Sequence, residues 1–278
     1  MNIGSSIGCA FAIALIFSVS LQAQPSPIPS PAPRALPSNI ARPDGIEVER
    51  GQLLLRATAL TDDIVRVRVG RDGSLPEDAS WAVPREMRES HVAVTALPNG
   101  FATRSVRVII DPATLKLTVT DLSGNLVVAD ADQPISLNGR AFTLRKALPP
   151  GEHIYGLGDK TGGSLDRRSK SYVDWNTDAY GFDSSTDPIY KSIPFFIASG
   201  GSGGSYGILL DNSWRTFFDF AHAAPNILAM GGPDGPIDYY IVTGPSLRQV
   251  VRRYTDLTGK APLPPEWESS STQTASWT

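Results

Sequence analysis

The chain has 278 residues, a formal net charge of −3 at pH 7 and one cysteine. This slightly acidic balance, with no basic cluster larger than Arg167-Arg168, argues against nucleic acid or an anionic membrane surface as a partner. Cys9 lies in an N-terminal segment that we expect to be removed. The mature chain therefore has no thiol for a disulfide framework or a cysteine-based metal site.

The first 23 residues are typical of a secretory signal. An apolar run from Ala10 to Leu21 is followed by Leu21-Gln22-Ala23, which fits a cleavage site. The apolar run is only about a dozen residues long, short of the roughly 20 that a membrane-spanning helix needs. We therefore expect an exported protein, periplasmic or extracellular, that has no membrane partner after the signal is removed.

Residues 24–44 are rich in Pro, Ser and Ala, which predicts an extended linker with polyproline character. From residue 45 to residue 245, short β-type runs such as Ile64–Val69 and His91–Val94 alternate with turn residues. In Ile64–Val69 valines alternate with arginines, which predicts one face toward a core and one toward water. The pattern predicts a mainly β domain, an antiparallel β-sandwich.

One amphipathic helix is predicted at the C-terminal end of this domain, within residues 246–267. Ser246 and Gln249 form a capping box, and Gly259 is placed to end the helix. Apolar residues recur at helical spacing at Leu247, Val250, Val251, Tyr254 and Leu257. We interpret this segment as a helix and a linker toward another domain, followed by an irregular tail over residues 268–278.

A binding loop is predicted at Trp175-Asn176-Thr177-Asp178. This run places an aromatic ring, an amide and a carboxylate within four residues of loop-like sequence. Sugars bind through such combinations, because apolar ring faces stack on aromatic side chains and hydroxyls donate to carboxylates. We take Trp175, Asn176 and Asp178 as the candidate substrate-binding residues.

Several ordered blocks of the sequence resemble glycoside hydrolase family 31, the α-glucosidase and α-xylosidase family. The resemblance implies a sandwich of the galactose-mutarotase-like type and an exported, retaining α-glycosidase that acts on α-glucosides or α-xylosides. The blocks are Tyr155-Gly156-Leu157-Gly158-Asp159-Lys160, Leu165-Asp166-Arg167-Arg168, Trp175-Asn176-Thr177-Asp178 and Leu263-Pro264-Pro265-Glu266-Trp267.

The resemblance also assigns roles to the binding loop. In the family, the loop with the Trp-Asn-x-Asp pattern reaches from the sandwich over the mouth of a (β/α)8 barrel. Asp178 is then implied to contact the substrate, whereas Trp175 and Asn176 are implied mainly to shape the loop. No metal or organic cofactor is implied, and the three histidines share no metal-ligand spacing.

In the family, catalysis belongs to the barrel that follows the Pro-Pro-x-Trp element. A barrel needs about 250 residues, and eleven follow Trp267. We therefore expect a truncated enzyme whose natural docking partner, the barrel, is absent, and we assign no catalytic residue. Seven acids are candidates for a catalytic pair: Glu152, Asp159, Asp166, Asp174, Asp178, Asp183 and Asp187. We interpret all of them except Asp178 as turn, loop or ion-pair residues.

Three functions remain open at this point. The first is the N-terminal portion of an α-glycosidase that binds an α-linked oligosaccharide and has no turnover of its own. The second is a stand-alone carbohydrate-binding module. The third is an aldose 1-epimerase-like protein, in which His153 beside Glu152 would open a sugar ring, although a shared fold does not confer that activity.

Overall fold

The computed structural model describes residues 38–263 and Pro265. The predicted signal, residues 24–37 of the predicted linker and the predicted tail lie outside these residues. In the described part of the chain, no helix is both long and apolar enough to cross a membrane.

The described residues form seventeen strands and two helices. The helices are α1 (Arg85–Arg88) and α2 (Leu247–Thr258). In chain order, the strands are β1 (Ser38–Arg42), β2 (Gly45–Arg50), β3 (Leu53–Ala59), β4 (Ile64–Gly70), β5 (Thr95–Leu97), β6 (Gly100–Ala102), β7 (Val106–Asp111), β8 (Lys116–Asp121), β9 (Leu126–Asn138), β10 (Ala141–Ala147), β11 (His153–Gly158), β12 (Ser171–Asp174), β13 (Ser192–Gly201), β14 (Gly204–Leu210), β15 (Thr216–Phe220), β16 (Ile227–Gly232) and β17 (Ile237–Gly244).

The strands pair in two antiparallel sheets. One sheet has the order β1-β2-β3-β4-β17-β14-β13-β11, and the other has the order β12-β15-β16-β10-β9-β8-β7-β6-β5. Side chains of both sheets share one core, in which Val67 and Ile241 of the first sheet and Val108 and Met230 of the second are fully buried. The predicted antiparallel β-sandwich is confirmed.

Two strand boundaries differ from the sequence prediction. β1 pairs with β2, from Ser38 opposite Glu49 to Arg42 opposite Gly45, so residues 38–42 belong to the sheet and not to the predicted linker. Pro43 follows this run without interrupting the pairing, and an edge strand tolerates a proline there. The predicted strand His91–Val94 is not a strand, because extended pairing starts only at β5.

The outer face of β4 is buried, although the alternating sequence predicted that it faces water. Arg66 is 4% exposed, and its Nη2 lies 2.6 Å from Asp238 Oδ2 and 2.8 Å from Asp78 Oδ1. A buried guanidinium is tolerated when carboxylates neutralise it. The prediction was wrong because periodicity identifies the core face but does not reveal a second layer over the other face.

That second layer is a smaller apolar cluster over the eight-stranded sheet, and α2 contributes to it. Val250 and Leu257 are fully buried there, and the Tyr254 ring stacks on Phe195 with centroids 3.8 Å apart. The buried stripe of α2 is narrower than predicted, because Leu247 is 38% exposed. Tyr254 therefore has a packing role, as the sequence indicated.

The ends of α2 follow the sequence signals. Ser246 is the N-cap, and its side-chain oxygen accepts a hydrogen bond from the backbone N–H of Gln249. Gly259 follows the last helical residue with a φ of 94°, a conformation that glycine adopts without strain. The predicted helix is confirmed. The four-residue helix α1 was not predicted.

The core should depend strongly on Phe196 of β13. Its ring meets Phe218 and Phe220 edge-on, with centroid distances of 6.1 and 5.2 Å, and it is fully buried. Phe196→Ala should lower the free energy of unfolding by about 3–5 kcal/mol, because it removes these contacts and leaves a cavity. Urea unfolding followed by circular dichroism measures the loss. Phe182→Ala, at a ring that is 51% exposed, is the control; equal losses would contradict the assignment of the core.

Candidate functional site

The candidate binding residues lie on one loop that crosses an end of the sandwich. The loop, residues 175–191, connects β12 of the nine-stranded sheet to β13 of the eight-stranded sheet. Trp175 and Asn176 are at its start, and Asp178 lies two residues further on. The loop is therefore attached to both sheets, which limits how far its base can move.

Two hydrogen bonds close the base of the 175–191 loop. The side-chain oxygen of Asn176 accepts a bond from the backbone N–H of Ser192 at 2.7 Å. The backbone N–H of Thr177 donates to the carbonyl of Ile189 at 3.3 Å. Asn176 thus shapes the loop, and its side-chain oxygen is occupied in doing so.

The outer part of the loop presents Asp178 together with aromatic rings. Asp178 is exposed, and the Tyr180 side chain is fully exposed beside it. The rings of Phe182 and Tyr190 meet edge-on with centroids 6.2 Å apart. The pKa of Tyr190 is raised, first by partial desolvation and then by the neighbouring Asp178 carboxylate. A carboxylate beside exposed aromatic rings is suited to a polyhydroxyl ligand.

A buried lysine holds the base of this loop. Lys160 has no exposed side-chain surface, and its Nζ lies 2.9 Å from Asp174 Oδ1 and 3.5 Å from Asp187 Oδ1. The same Nζ donates to the carbonyl of Val173 at 2.7 Å, and Asp187 Oδ2 accepts from the N–H of Val173 at 2.6 Å. We call Lys160, Asp174 and Asp187 the lysine cluster. It ties the end of β12 to the returning part of the loop.

The Asp174 carboxylate is enclosed at the centre of the lysine cluster. It is 4% exposed, and burial raises its pKa even though Lys160 favours the charged form. Its Oδ1 is paired with Lys160 Nζ at 2.9 Å, and its Oδ2 accepts no hydrogen bond within the described residues. Buried acceptors are usually paired, so Asp174 retains unused hydrogen-bonding capacity.

The other candidate acids make local contacts that explain their presence. Asp159 lies 3.4 Å from Lys191 at the surface, and Asp183 accepts hydrogen bonds from Ser185 and Thr186 within a turn. Asp166, which the sequence placed among the turn, loop or ion-pair acids, makes no ion pair with the adjacent arginines. It instead accepts backbone N–H bonds from Ile154 and Arg168 and contacts His153 at 2.7 Å.

His153 and Glu152 are not brought together as an acid–base pair. Glu152 is buried and accepts a hydrogen bond from the Tyr206 hydroxyl, while His153 is exposed and pairs with Asp166. Burial raises the pKa of Glu152. This arrangement gives no support to the epimerase hypothesis. Within residues 38–263, no group of three or more His, Cys, Asp or Glu side chains is arranged to hold a metal ion.

A cleft of about 520 Å³ adjoins the base of the 175–191 loop. Trp175 and Asn176 line it together with two tryptophans from distant parts of the chain, Trp81 and Trp214. Asp178 is not among its lining residues. The sequence had not identified Trp81 or Trp214 as site residues, because both are far from the 175–191 loop along the chain.

The fold places this chain in the class of galactose-mutarotase-like β-sandwich domains. Residues 54–219, more than half of the chain, match the family model described as the glycosyl hydrolase 31 N-terminal galactose mutarotase-like domain. The chain therefore belongs to this family. The resemblance read from the sequence motifs is confirmed.

Several characterised proteins are similar to this chain. It is 34% identical to α-glucosidase 2 of Bacillus thermoamyloliquefaciens over 215 residues, which cover 74% of this chain and 26% of that protein. It is 28% identical to an α-xylosidase of Saccharolobus solfataricus over 226 residues, which cover 78% of this chain and 30% of that protein. The chain thus spans between a quarter and a third of the length of these relatives.

A solved structure is also similar to this chain over part of its own length. The family 31 dextranase of Flavobacterium johnsoniae, in complex with isomaltotriose, superposes with a TM-score of 0.74 at 27% identity. The match covers 84% of this chain and 29% of the dextranase chain. The sandwich is therefore shared over nearly the whole described region.

The lysine cluster should be essential for stability. Lys160→Met leaves two carboxylates without their buried counter-charge, and we expect it to lower the free energy of unfolding by about 3–5 kcal/mol. Lys191→Met removes the exposed ion pair with Asp159 and should cost no more than about 1 kcal/mol. Urea titration of both variants measures the difference. Similar losses in the two variants would show that Lys160 does not hold the loop base.

Proposed function

We propose that this chain is the N-terminal domain of an exported, retaining α-glycosidase that hydrolyses α-glucosides or α-xylosides. The observation that carries the proposal is the exposed Asp178 on a loop whose base is held by Asn176 and the lysine cluster. In this role Asp178 contacts the substrate beside the scissile bond. Trp175 forms part of the surface around it.

The relatives support the substrate class. An α-glucosidase and an α-xylosidase are similar to this chain over about three quarters of its length, and a dextranase with the same fold binds isomaltotriose. An α-linked oligosaccharide is therefore the proposed ligand. The surface charge agrees with a neutral ligand, because the chain carries a formal net charge of only −3.

Catalysis is proposed to lie in a separate (β/α)8 barrel domain, the docking partner of this sandwich. Retaining glycosidases use two carboxyl groups about 5–5.5 Å apart on either side of the bond. Of the candidate acids, Asp159 makes a surface ion pair, Asp183 accepts hydrogen bonds within a turn, and Glu152 is buried against the Tyr206 hydroxyl. Asp174 and Asp187 do approach each other, but Lys160 lies between their charges and Asp174 is enclosed.

The isolated chain should therefore show no hydrolysis of 4-nitrophenyl α-glucoside or α-xyloside. A chimera in which residues 38–263 replace the matching region of the Bacillus α-glucosidase should restore hydrolysis, because the missing carboxyl pair is then supplied. In that chimera, Asp178→Ala should lower kcat/KM by about tenfold or more, since a charged hydrogen bond to substrate is lost. Initial-rate kinetics measure both effects.

Asp132→Ala is the matched control for this experiment, because Asp132 is an exposed carboxylate on β9 with 98% of its side chain accessible. It should leave kcat/KM unchanged. Hydrolysis by the isolated chain would contradict the assignment of catalysis to a separate domain. An unchanged kcat/KM in the Asp178→Ala chimera would contradict the role of Asp178.

A further inference from the structure

The cleft beside the 175–191 loop has the features of a second ligand site. Its volume of about 520 Å³ falls in the range of roughly 300–1,000 Å³ that is typical of small-molecule sites. Its walls come from the segment before α1, from the start of the loop and from the segment after β14. Asp178 lies outside it, so the proposed contact at Asp178 does not account for this cleft.

Three tryptophan side chains contribute to the cleft walls. Three of the five tryptophans in the chain line the cleft, and they remain substantially accessible: Trp81 is 98% exposed, Trp175 46% and Trp214 49%. Large aromatic rings are normally buried, and exposed groups of them mark binding surfaces. A sugar can stack the C–H face of its ring on such a side chain.

Unused hydrogen-bonding capacity is concentrated in the same place. In the described part of the chain, seven buried side-chain nitrogen or oxygen atoms lack a hydrogen-bond partner. Two of the seven belong to residues that line the cleft and have no charged partner: Asp174 Oδ2 and the hydroxyl oxygen of Ser192. Both are enclosed in the cleft wall. The acceptor that a ligand with hydroxyl donors meets directly is therefore the partly exposed carboxylate of Asp211.

The charges around the cleft favour a neutral ligand. No Lys, Arg or His is among its lining residues, and two carboxylates, Asp174 and Asp211, are. The charge of Asp174 is balanced by Lys160 at 2.9 Å. Asp211 accepts a hydrogen bond from the Tyr240 hydroxyl at 3.4 Å. An anionic ligand would meet only carboxylates here, whereas the hydroxyls of a neutral sugar can donate to them.

We propose that this cleft binds a neutral oligosaccharide, with Trp81, Trp175 and Trp214 as stacking platforms and Asp211 as a hydroxyl acceptor. The site is separate from Asp178, and the inference rests on the proposed function for the class of ligand. It would hold a distant part of a glucan chain while Asp178 meets the sugar at the reacting bond.

Isothermal titration calorimetry of the full chain with isomaltotriose tests the proposal. Saturable binding is expected in the wild type, and Trp214→Ala or Trp81→Ala should weaken the affinity by about tenfold or more, since a stacking contact is lost. The Trp81 side chain is 98% exposed and the Trp214 side chain 49%, so their removal should cost little stability. Urea unfolding of each variant verifies this. Leu122→Ala, at an exposed side chain that follows β8 and lies outside both the cleft and the 175–191 loop, is the control and should bind as the wild type does.

A second measurement locates the sugar. Isomaltotriose should shift the indole N–H resonances of Trp81, Trp175 and Trp214 in ¹H–¹⁵N spectra, and it should still do so in Asp178→Asn. Absence of saturable binding to isomaltotriose, maltotriose and xylotriose would overturn the proposal. Wild-type affinity in both tryptophan variants would also overturn it, as would a tryptophan-dependent dimer that binds no sugar.

The outcomes separate this site from the function proposed for Asp178. Sugar binding that is lost in Asp178→Asn and kept in Trp214→Ala would refute binding in the cleft and would support binding at the 175–191 loop. Sugar binding that is lost only in the tryptophan variants supports binding in the cleft. The kcat/KM of the Asp178→Ala chimera tests the role of Asp178 independently.

Discussion

The ion contacts of Lys160 are the constraint on which the loop end of this domain depends. A lysine without exposed surface must be neutralised, and Asp174 and Asp187 do this from the two ends of the loop region. The contacts therefore couple the last residue of β12 to the returning part of the 175–191 loop. A loop of seventeen residues would otherwise be expected to sample many conformations.

The same constraint explains why two candidate binding surfaces lie side by side. By holding the loop base, the lysine cluster places Trp175 in the cleft wall and leaves Asp178 on the exposed side of the loop. Asp174 contributes to both arrangements, because it pairs with Lys160 and lines the cleft. The stability of the sandwich and the geometry of the 175–191 loop are thus linked through one buried charge.

Features determined by local sequence were predictable. The cap at Ser246, the helix that follows and the strand at Ile64–Val69 were predicted correctly, because each depends on residues that are close together in the sequence. The family was predictable from ordered motifs, and the loop at Trp175 could be named from its composition. The structure shows that Asp178 is exposed on this loop, and its contact with substrate stays a prediction.

Features that depend on distant residues could not be predicted. Arg66 has the pattern of a solvent-facing residue, and it is buried because Asp238, 172 positions away, pairs with it. The cleft likewise requires Trp81, Trp175 and Trp214 to meet across three segments. The role of Lys160 was hidden for the same reason, since its partners follow it by 14 and 27 residues and the periodicity of the sequence contains no signal for their contact.

Hydrogen–deuterium exchange of the wild-type chain, measured with and without saturating isomaltotriose, tests the central claim most directly. The claim is that sugar meets this domain at the end organised by Lys160. It predicts slower exchange with sugar over residues 175–192 and 210–216, and unchanged exchange in β5 to β8 at the opposite edge of the nine-stranded sheet. Slower exchange confined to β5 to β8, or no change anywhere, would contradict it.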